Sequence, residues 1–291
     1  MAYILTYNNR PLTRQAGQYD FISFNLPNDV WVSCSWSPST RVPAYGNLIW
    51  TGSQKYYDKY TYYDDDYKIT GQNTADKKTW TGTLTAFSAE YIWNDLLGNT
   101  YFSNGSDGQH KLGYSSSQEY TWSAKTWSGS LTNPERAYIW DDGTTTYYGS
   151  SYYLTGTTVY NTDWATQSFT GTPSNFTPST GIWHDSIGNT YYSNGSTNYV
   201  FNKSTHKWTT KTWSGLTSFE GQDVWIDLVG RVFYSNGQQQ YELNPLTSTW
   251  TAKNWSVPSS GMLNQLKGRY IWKTDTDVHL SAGQYYQYIL T

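Results

Sequence analysis

Residues 182–195 read Ile-Trp-His-Asp-Ser-Ile-Gly-Asn-Thr-Tyr-Tyr-Ser-Asn-Gly, and this stretch carries the signals that decide the fold. Its Asp-x-x-Gly segment is typical of a turn, because Asp can accept hydrogen bonds from nearby backbone amides and Gly readily adopts positive φ. The closing Asn-Gly is a strong hairpin signal. The stretch therefore predicts two short antiparallel strands around a tight turn, with a second turn after them.

This stretch belongs to a repeat. An Ile-Trp or Val-Trp pair returns every 42–47 residues, and a second pair of aromatic residues, five positions apart, closes most units. Every one of the 16 Trp of the chain falls in one of these positions. The first class contains Trp50, Trp93, Trp140, Trp183, Trp225 and Trp272; the closing pairs are Trp31/Trp36, Trp122/Trp127, Trp164/Phe169, Trp208/Trp213 and Trp250/Trp255, and Trp80 is the second member of a pair whose first member is missing.

Each unit predicts four short strands. The Ile-Trp and Tyr-Tyr-Ser segments are the first two, an alternating segment such as 240–243 is the third, and a segment such as 250–255 is the fourth. One four-stranded sheet cannot bury both of its faces, whereas sheets stacked around a common axis can. Four strands in each 42–47 residues therefore predict the blades of a β-propeller.

The closing segments give the repeat a family resemblance. Residues 201–208 read Phe-Asn-Lys-Ser-Thr-His-Lys-Trp and residues 243–250 read Leu-Asn-Pro-Leu-Thr-Ser-Thr-Trp, each after a Tyr-containing strand. The pattern resembles the kelch repeat, and the resemblance covers essentially the whole chain. It departs from that family in one place, since Asn-Gly stands where kelch repeats have a double glycine. Asn also tolerates positive φ, so the turn geometry is retained.

We therefore predict an all-β chain with one domain, residues 1–291, folded as a single closed β-propeller of four-stranded antiparallel blades. Seven blades are favoured, because Leu5 lies one repeat length before Trp50, and six are possible. The segment Tyr3-Ile4-Leu5-Thr6 is expected to complete the final blade, so that the N- and C-terminal strands close the ring and hide two exposed edges. The predicted units are approximately 1–46, 47–89, 90–136, 137–179, 180–221, 222–267 and 268–291.

The composition excludes several classes of protein. Aromatic residues make up 19% of the chain and charged residues only 14%, which is typical of a packed β protein and not of a disordered one. The net charge is −3 and the basic residues are scattered, so we expect no nucleic-acid partner and no membrane insertion. Cys34 is the single cysteine, which rules out an internal disulfide. The N-terminus shows no export signal, and no apolar run reaches 18 residues.

Residues that usually carry catalysis are dispersed. The histidines fall at different repeat positions without metal-ligand spacing, and no His pair accompanies Cys34 as it does in the copper-oxidase relatives of kelch proteins. The turn at Asp185 is similar to a sialidase turn but one residue longer, and turn formation explains its Asp. We therefore predict no cofactor, no metal site and no enzyme activity. The four histidines are His110, His184, His206 and His279.

The repeat is broken at residues 55–66, where the segment between strands is elongated and the first closing Trp is absent. A solvated hairpin tip and a cation site are alternatives for its acidic run. Tyrosines beside carboxylates also offer the stacking and hydrogen-bonding groups that sugars and protein partners use. Our hypothesis is that this aromatic hairpin recognises a ligand through Tyr56, Tyr57, Tyr60, Tyr62, Asp64, Asp65 and Asp66.

We expect a non-catalytic structural or adhesive binding module, a virion component such as a bacteriophage tail or capsid-associated protein. It would dock to partner proteins in a larger assembly or recognise a cell-surface glycan. Its expected location is the virion or the extracellular space, reached without a classical signal peptide after synthesis in the cytoplasm. The alternatives are an extracellular carbohydrate-binding lectin and a glycan-active propeller enzyme. The repeated Trp residues are expected to pack in the core, with sugar-stacking platforms as the alternative.

Overall fold

A computed structural model describes residues 6–7, 10–11, 29–36, 45–46, 49–54, 57–63, 67–71, 74–77, 79–84, 87–105, 108–114, 120–156, 162–283 and 285–291. For residues 6–7, 10–11, 53–54, 57–61, 63, 71 and 74–75 it describes the backbone only. The described residues are almost entirely strands and turns, as the sequence predicts.

Within the described ranges the strands form five sheets of four strands, one sheet of five and a separate two-stranded sheet, and the larger sheets are arranged as in a propeller. In each of the larger sheets the four main strands pair antiparallel with their neighbours, and in all but the last sheet they follow chain order. The fifth strand, in sheet 2, is a two-residue strand that pairs parallel to the last main strand. The predicted four-stranded antiparallel blades are therefore confirmed.

The bounds of the strands follow the repeat. Sheet 1 contains Ile49–Gln54, Tyr57–Tyr63, Tyr67–Gly71 and Thr74–Lys77; sheet 2 contains Ile92–Asn94, Thr100–Ser103, Gln109–Tyr114, Tyr120–Ala124 and the added Thr81–Gly82; sheet 3 contains Ile139–Asp141, Thr146–Tyr148, Tyr152–Thr155 and Asp163–Thr166; sheet 4 contains Ile182–His184, Thr190–Ser193, Asn198–Asn202 and Lys207–Thr210; sheet 5 contains Val224–Ile226, Val232–Ser235, Gln240–Asn244 and Thr249–Ala252; sheet 6 contains Ile271–Lys273, Val278–Ser281, Gln287–Leu290 and Trp31–Ser33.

Short helical turns precede several first strands. No helix among the described residues is long and apolar enough to cross a bilayer. The 3₁₀ turns are Ala89–Tyr91, Arg136–Tyr138, Gly221–Asp223 and Gly268–Tyr270, and the four-residue helices are Pro178–Gly181 and Ser260–Leu263.

The predicted closed ring of seven blades is wrong. Trp31–Ser33, which the prediction places in the first unit, pairs antiparallel with Gln287–Leu290 and is the fourth strand of sheet 6. The segment expected in that role was Tyr3–Thr6. Its first three residues lie outside the described part of the chain, and Thr6 pairs with Pro11 in a small separate hairpin. Sheet 6 therefore joins the two ends of the chain, but through a later strand than predicted.

One stacked pair recurs inside the sheets. In sheet 4, Trp183 on the first strand lies directly opposite Tyr191 on the second, with ring centroids 4.4 Å apart. The indole Nε1 of Trp183 donates to Ser193 Oγ at 3.0 Å. The fixed spacing between the Ile-Trp and Tyr-Tyr-Ser segments thus reflects the register of one hairpin. This register places aromatic rings of the two strands opposite each other and in contact. The equivalent residues opposite the Trp are Tyr62, Tyr101, Tyr147, Phe233 and His279.

Three large aromatic rings fill most of the spaces between neighbouring sheets. Between sheets 4 and 5, the ring centroid of Trp183 lies 5.5 Å from that of Trp213 and 6.0 Å from that of Trp250. All three side chains are buried. Edge and tilted aromatic contacts at such distances stabilise a core beyond the area that they bury. The predicted core role of the Trp residues is confirmed for these interfaces. The corresponding groups are Trp50/Trp80/Trp122, Trp93/Trp127/Trp164, Trp140/Phe169/Trp208 and Trp225/Trp255/Trp31.

A polar contact repeats beside these rings. Lys211 Nζ lies 4.7 Å from the ring centroid of Trp213 and 2.6 Å from Ser248 Oγ on the next sheet. The ammonium group thereby combines a cation–π contact with a hydrogen bond across the interface. Lys253 makes the same connection from sheet 5 to Asp29, at the start of the N-terminal strand of sheet 6.

We predict that Trp183→Ala lowers the free energy of unfolding by roughly 3–5 kcal/mol, because it removes a buried indole from the middle of an interface. Chemical denaturation of the purified variant measures this loss. Leu246→Ala is the matched control, since Leu246 is 87% exposed and its truncation leaves no cavity. Unchanged stability in Trp183→Ala together with lost ligand binding would favour the sugar-platform alternative instead.

Candidate functional site

The propeller has two chemically different ends. The first strand of each sheet begins at one end of the propeller, here called the linker end. The hairpin between the second and third strands lies at the same end. The hairpin between the first and second strands lies at the opposite end, here called the tip end. Both assignments follow from the antiparallel pairing of consecutive strands.

The tip-end hairpins are built on buried carboxylates. Asp185 Oδ1 accepts from the amides of Ile187 and Asn189, at 3.1 and 2.8 Å, and its Oδ2 accepts from the Tyr191 hydroxyl at 3.0 Å. Burial raises the pKa of Tyr191, so its hydroxyl stays protonated and continues to donate. These bonds satisfy the carboxylate and give it a structural role. Asp95, Asp142 and Asp227 hold the same position in sheets 2, 3 and 5.

Aliphatic side chains stand exposed on these rigid hairpins. Ile187 is 63% exposed. On the next tip, Leu228 is 44% exposed and Val229 40%. The two tips are neighbours, because a Cβ placed on Gly230 would lie 3.3 Å from the Cβ of Ser186. We call the exposed aliphatic residues of this end the apolar tip surface: Leu96, Ile187, Leu228, Val229 and Leu246.

One histidine and one carboxylate approach each other between sheets 3 and 4. His184 Nε2 lies 3.9 Å from Asp141 Oδ1, and His184 Nδ1 lies 3.2 Å from Thr190 Oγ1. Burial lowers the pKa of His184 although Asp141 opposes that shift. The nitrogen–oxygen distance to Asp141 is too long for a hydrogen bond. The pair is therefore not arranged as an oriented general base. Among the described residues no group of three or more His, Cys, Asp or Glu side chains could hold a metal ion.

The linker end carries a cluster of tyrosines that sequence reasoning missed. The ring centroids of Tyr45 and Tyr270 lie 5.5 Å apart. Tyr45 forms a backbone bridge to Ala282, at the start of the hairpin that carries Tyr285 and Tyr286. Tyr285 is 86% exposed, Tyr45 45% and Tyr286 39%. We call these four residues, Tyr45, Tyr270, Tyr285 and Tyr286, the tyrosine surface.

Charged groups border this surface. Lys267 Nζ lies 5.8 Å from the ring centroid of Tyr270. Beside it, the Arg269 guanidinium donates from Nε and Nη2 to the two carboxylate oxygens of Asp223, at 2.8 and 2.6 Å. Hydrogen bonding to Asp223 raises the pKa of Arg269. The tyrosine surface therefore combines amphipathic rings with a fixed ion pair and an ammonium group.

Of the residues predicted as the ligand site, only Tyr62 has a described side chain, so recognition by this hairpin stays a prediction. Tyr62 is in the core, 1% exposed, and its ring centroid lies 4.5 Å from that of Trp50. It is therefore not available to a ligand. The backbones of Tyr57 and Tyr60 lie in the seven-residue strand Tyr57–Tyr63. Their side chains, and Tyr56, Asp64, Asp65 and Asp66, lie outside what the structure describes.

The strand Tyr57–Tyr63 runs from one end of sheet 1 to the other. Tyr57 pairs with Gln54 at the tip end, whereas Tyr63 pairs with Tyr67 at the linker end. A strand of this length spans about 20 Å at about 3.3 Å per residue. The backbones of Tyr57 and Tyr63 therefore lie at opposite ends of sheet 1.

The arrangement of these sheets is that of a β-propeller. No family model and no curated protein matches the chain, so its resemblance to the kelch repeat stays a prediction. Among solved structures it is similar to the extracellular domain of a putative one-component system from B. thetaiotaomicron, at 10% identity and a TM-score of 0.44 over 83% of this chain and 33% of that one. It is also similar to streptogramin B lyase, at 9% identity and a TM-score of 0.42 over 90% of this chain and 97% of that one.

The chain spans about a third of the length of the first of these proteins. Similarities at this level say nothing about what this chain binds or whether it catalyses a reaction.

We predict different outcomes for the core and hairpin tyrosines of sheet 1. Tyr62→Ala lowers the free energy of unfolding by roughly 3 kcal/mol or more, because it opens a cavity against Trp50. The combined change Tyr56→Ala, Tyr57→Ala and Tyr60→Ala tests recognition by the hairpin. Parallel denaturation and ligand-binding assays separate the two effects. Intact folding with unchanged binding in the triple variant would exclude the hairpin as a recognition element.

Proposed function

We propose that this chain is a non-catalytic binding module that recognises a neutral glycan with its tyrosine surface. The observation that carries the proposal is the group of exposed rings at the linker end, Tyr45, Tyr285 and Tyr286 around the half-buried Tyr270. Tyrosine offers an apolar ring face for stacking and a hydroxyl for hydrogen bonding. That combination matches sugars, whose rings have apolar faces and hydroxyl edges.

Hydrogen bonds of the described backbone beneath the rings support this function. Ala282 N donates to Tyr286 O at 3.0 Å, and Tyr286 N donates to Gly283 O at 3.3 Å. The side-chain amide of Gln287 also donates to Gly283 O, at 2.8 Å. A surface whose backbone is already ordered loses less conformational entropy when a ligand binds.

The opposite end suits attachment to a protein. Ile187, Leu228 and Val229 expose aliphatic surface on hairpins whose backbone is held by buried carboxylates. Exposed apolar side chains on neighbouring hairpins are suited to protein–protein contacts. The module would then present the tyrosine surface outward while the apolar tip surface docks onto a larger assembly.

We further propose that this assembly is a virus particle, such as a phage tail or capsid. The support is compositional: a chain with few charges, one cysteine and many Tyr, Ser, Thr and Asn residues resembles particle proteins that leave the cell by lysis. Detection of the chain by mass spectrometry in purified particles, and its loss when the apolar tips carry Ile187→Asp, tests this assignment.

A glycan array followed by titration of the bound sugars tests the glycan proposal. We predict that Tyr285→Ala and Tyr45→Ala each weaken binding by about tenfold or more, because the loss of an aromatic side chain from the centre of an interface commonly costs over 1 kcal/mol. Tyr138→Ala is the matched control. Tyr138 is 43% exposed at the same end but belongs to sheet 3, and it contacts Tyr148 instead of the tyrosine surface.

The proposal predicts that all three variants keep the unfolding midpoint of the wild-type protein. Equal loss of binding in Tyr138→Ala, or full binding in both surface variants, would contradict the assignment of the site. Release of free sugar from a bound oligosaccharide would instead support the glycan-active enzyme alternative.

A further inference from the structure

His279 is an exception in the repeat. Opposite the first-strand Trp, the other sheets place Tyr or Phe, with ring centroids 4.4–4.6 Å from the indole. Sheet 6 places His279 there, 4.1 Å from Trp272 and within 10° of parallel. The one ring in this structural position that can gain a proton at moderately acid pH therefore lies in sheet 6.

The environment of His279 suits only the neutral imidazole. The residue is 1% exposed, and its Nε2 is buried without a hydrogen-bond partner. A neutral ring nitrogen tolerates such a position at moderate cost. A protonated ring would place a cationic N–H donor in an apolar space with no acceptor, which is far more costly.

His279 also lies in the sheet that joins the chain ends. It pairs with Ile289 on the next strand, and Ile289 pairs with Val32 on the N-terminal strand. The ring of Trp36, which follows that strand, lies 6.1 Å from Trp272 and 6.3 Å from His279. Trp36, three residues after the N-terminal strand, thus contacts the stacked Trp272/His279 pair, which acidic pH would destabilise.

We propose that protonation of His279 is an acid-sensitive switch that loosens sheet 6 and releases the N-terminal strand Trp31–Ser33. This strand is held by pairing on one side only, with Gln287–Leu290, and by inter-sheet contacts at its start. Because no covalent turn connects it to its partner, it is the strand of sheet 6 that can leave without breaking a hairpin.

The charged groups around His279 compensate the added proton only in part. Asp277 precedes its strand and Lys273 ends the neighbouring one, so the hairpin contributes charges of both signs. Burial raises the pKa of the Cys34 thiol to about 11, and burial also raises the pKa of Tyr288, so both stay neutral in acid. The side of sheet 1 that packs here contributes Ile49, Tyr67 and Ile69.

The sign of the pH effect follows from these contacts. Burial outweighs the attraction of Asp277 and lowers the pKa of His279 from 6.5 to about 4. The unfolded or released state therefore binds the proton more tightly than the closed sheet does. His279 has no effect on the free energy of unfolding above pH 6.5. Its protonation lowers that free energy as the pH drops from 6.5 towards 4, and this loss levels off below pH 4.

Hydrogen exchange of the full chain at pH 7.5 and 4.5 tests the switch. We expect the protection factors of the Trp31–Ser33 amides to fall by up to about a hundredfold more than those of sheet 4, because each pH unit below the unfolded-state value shifts the equilibrium about tenfold. His279→Phe copies the Trp225/Phe233 pair of sheet 5 and should abolish this selective loss.

Two further measurements complete the test. Tyr191→His moves the imidazole into sheet 4, whose strands all come from one continuous segment, and should give acid sensitivity without selective release of Trp31–Ser33. NMR titration of wild-type His279 needs no variant and should give a midpoint near 4. A midpoint above 6, or equal acid release of the strand in His279→Phe, would overturn the proposal.

Discussion

The contact on which the structure depends is the packing of a first-strand Trp between its own sheet and the next one. Trp183 illustrates it: the ring stacks on Tyr191 within sheet 4 and contacts Trp250 of sheet 5. The same side chain therefore fixes the register of a hairpin and the spacing of two sheets. Because the chain repeats this geometry, local strand pairing and the assembly of sheets are specified by the same residues.

This coupling explains why the strand content and the blade pattern could be predicted while the blade count could not. Spacing of Trp positions along the chain reveals the hairpins directly. The pair Trp31/Trp36, however, has the same spacing as the other closing pairs although it closes a sheet whose other strands lie some 240 residues later. The spacing of Trp31/Trp36 marks a closing strand but does not show that this strand pairs with Gln287–Leu290.

The site was harder to predict for a related physical reason. The broken repeat at residues 55–66 suggested one cluster, yet alternation along a strand buries Tyr62, and the strand carries Tyr57 away from Tyr63. The tyrosine surface joins Tyr45 to Tyr270 and Tyr285, which are distant in sequence and meet only because sheet 6 lies beside residue 45. Tyr285 and Tyr286 after a Gly gave the only local hint of an exposed hairpin.

Cysteine cross-linking of the N-terminal strand to the C-terminal strand tests the account most directly. Val32 and Ile289 are cross-strand partners, so Val32→Cys and Ile289→Cys in a Cys34→Ser background should form a disulfide on mild oxidation. The control pair is Val32→Cys with Val200→Cys, because Val200 holds in sheet 4 the position that Ile289 holds in sheet 6. This pair should stay reduced. Equal cross-linking of the control pair would contradict a sheet built from both chain ends. So would a folded protein in which the cysteines at positions 32 and 289 never form a disulfide.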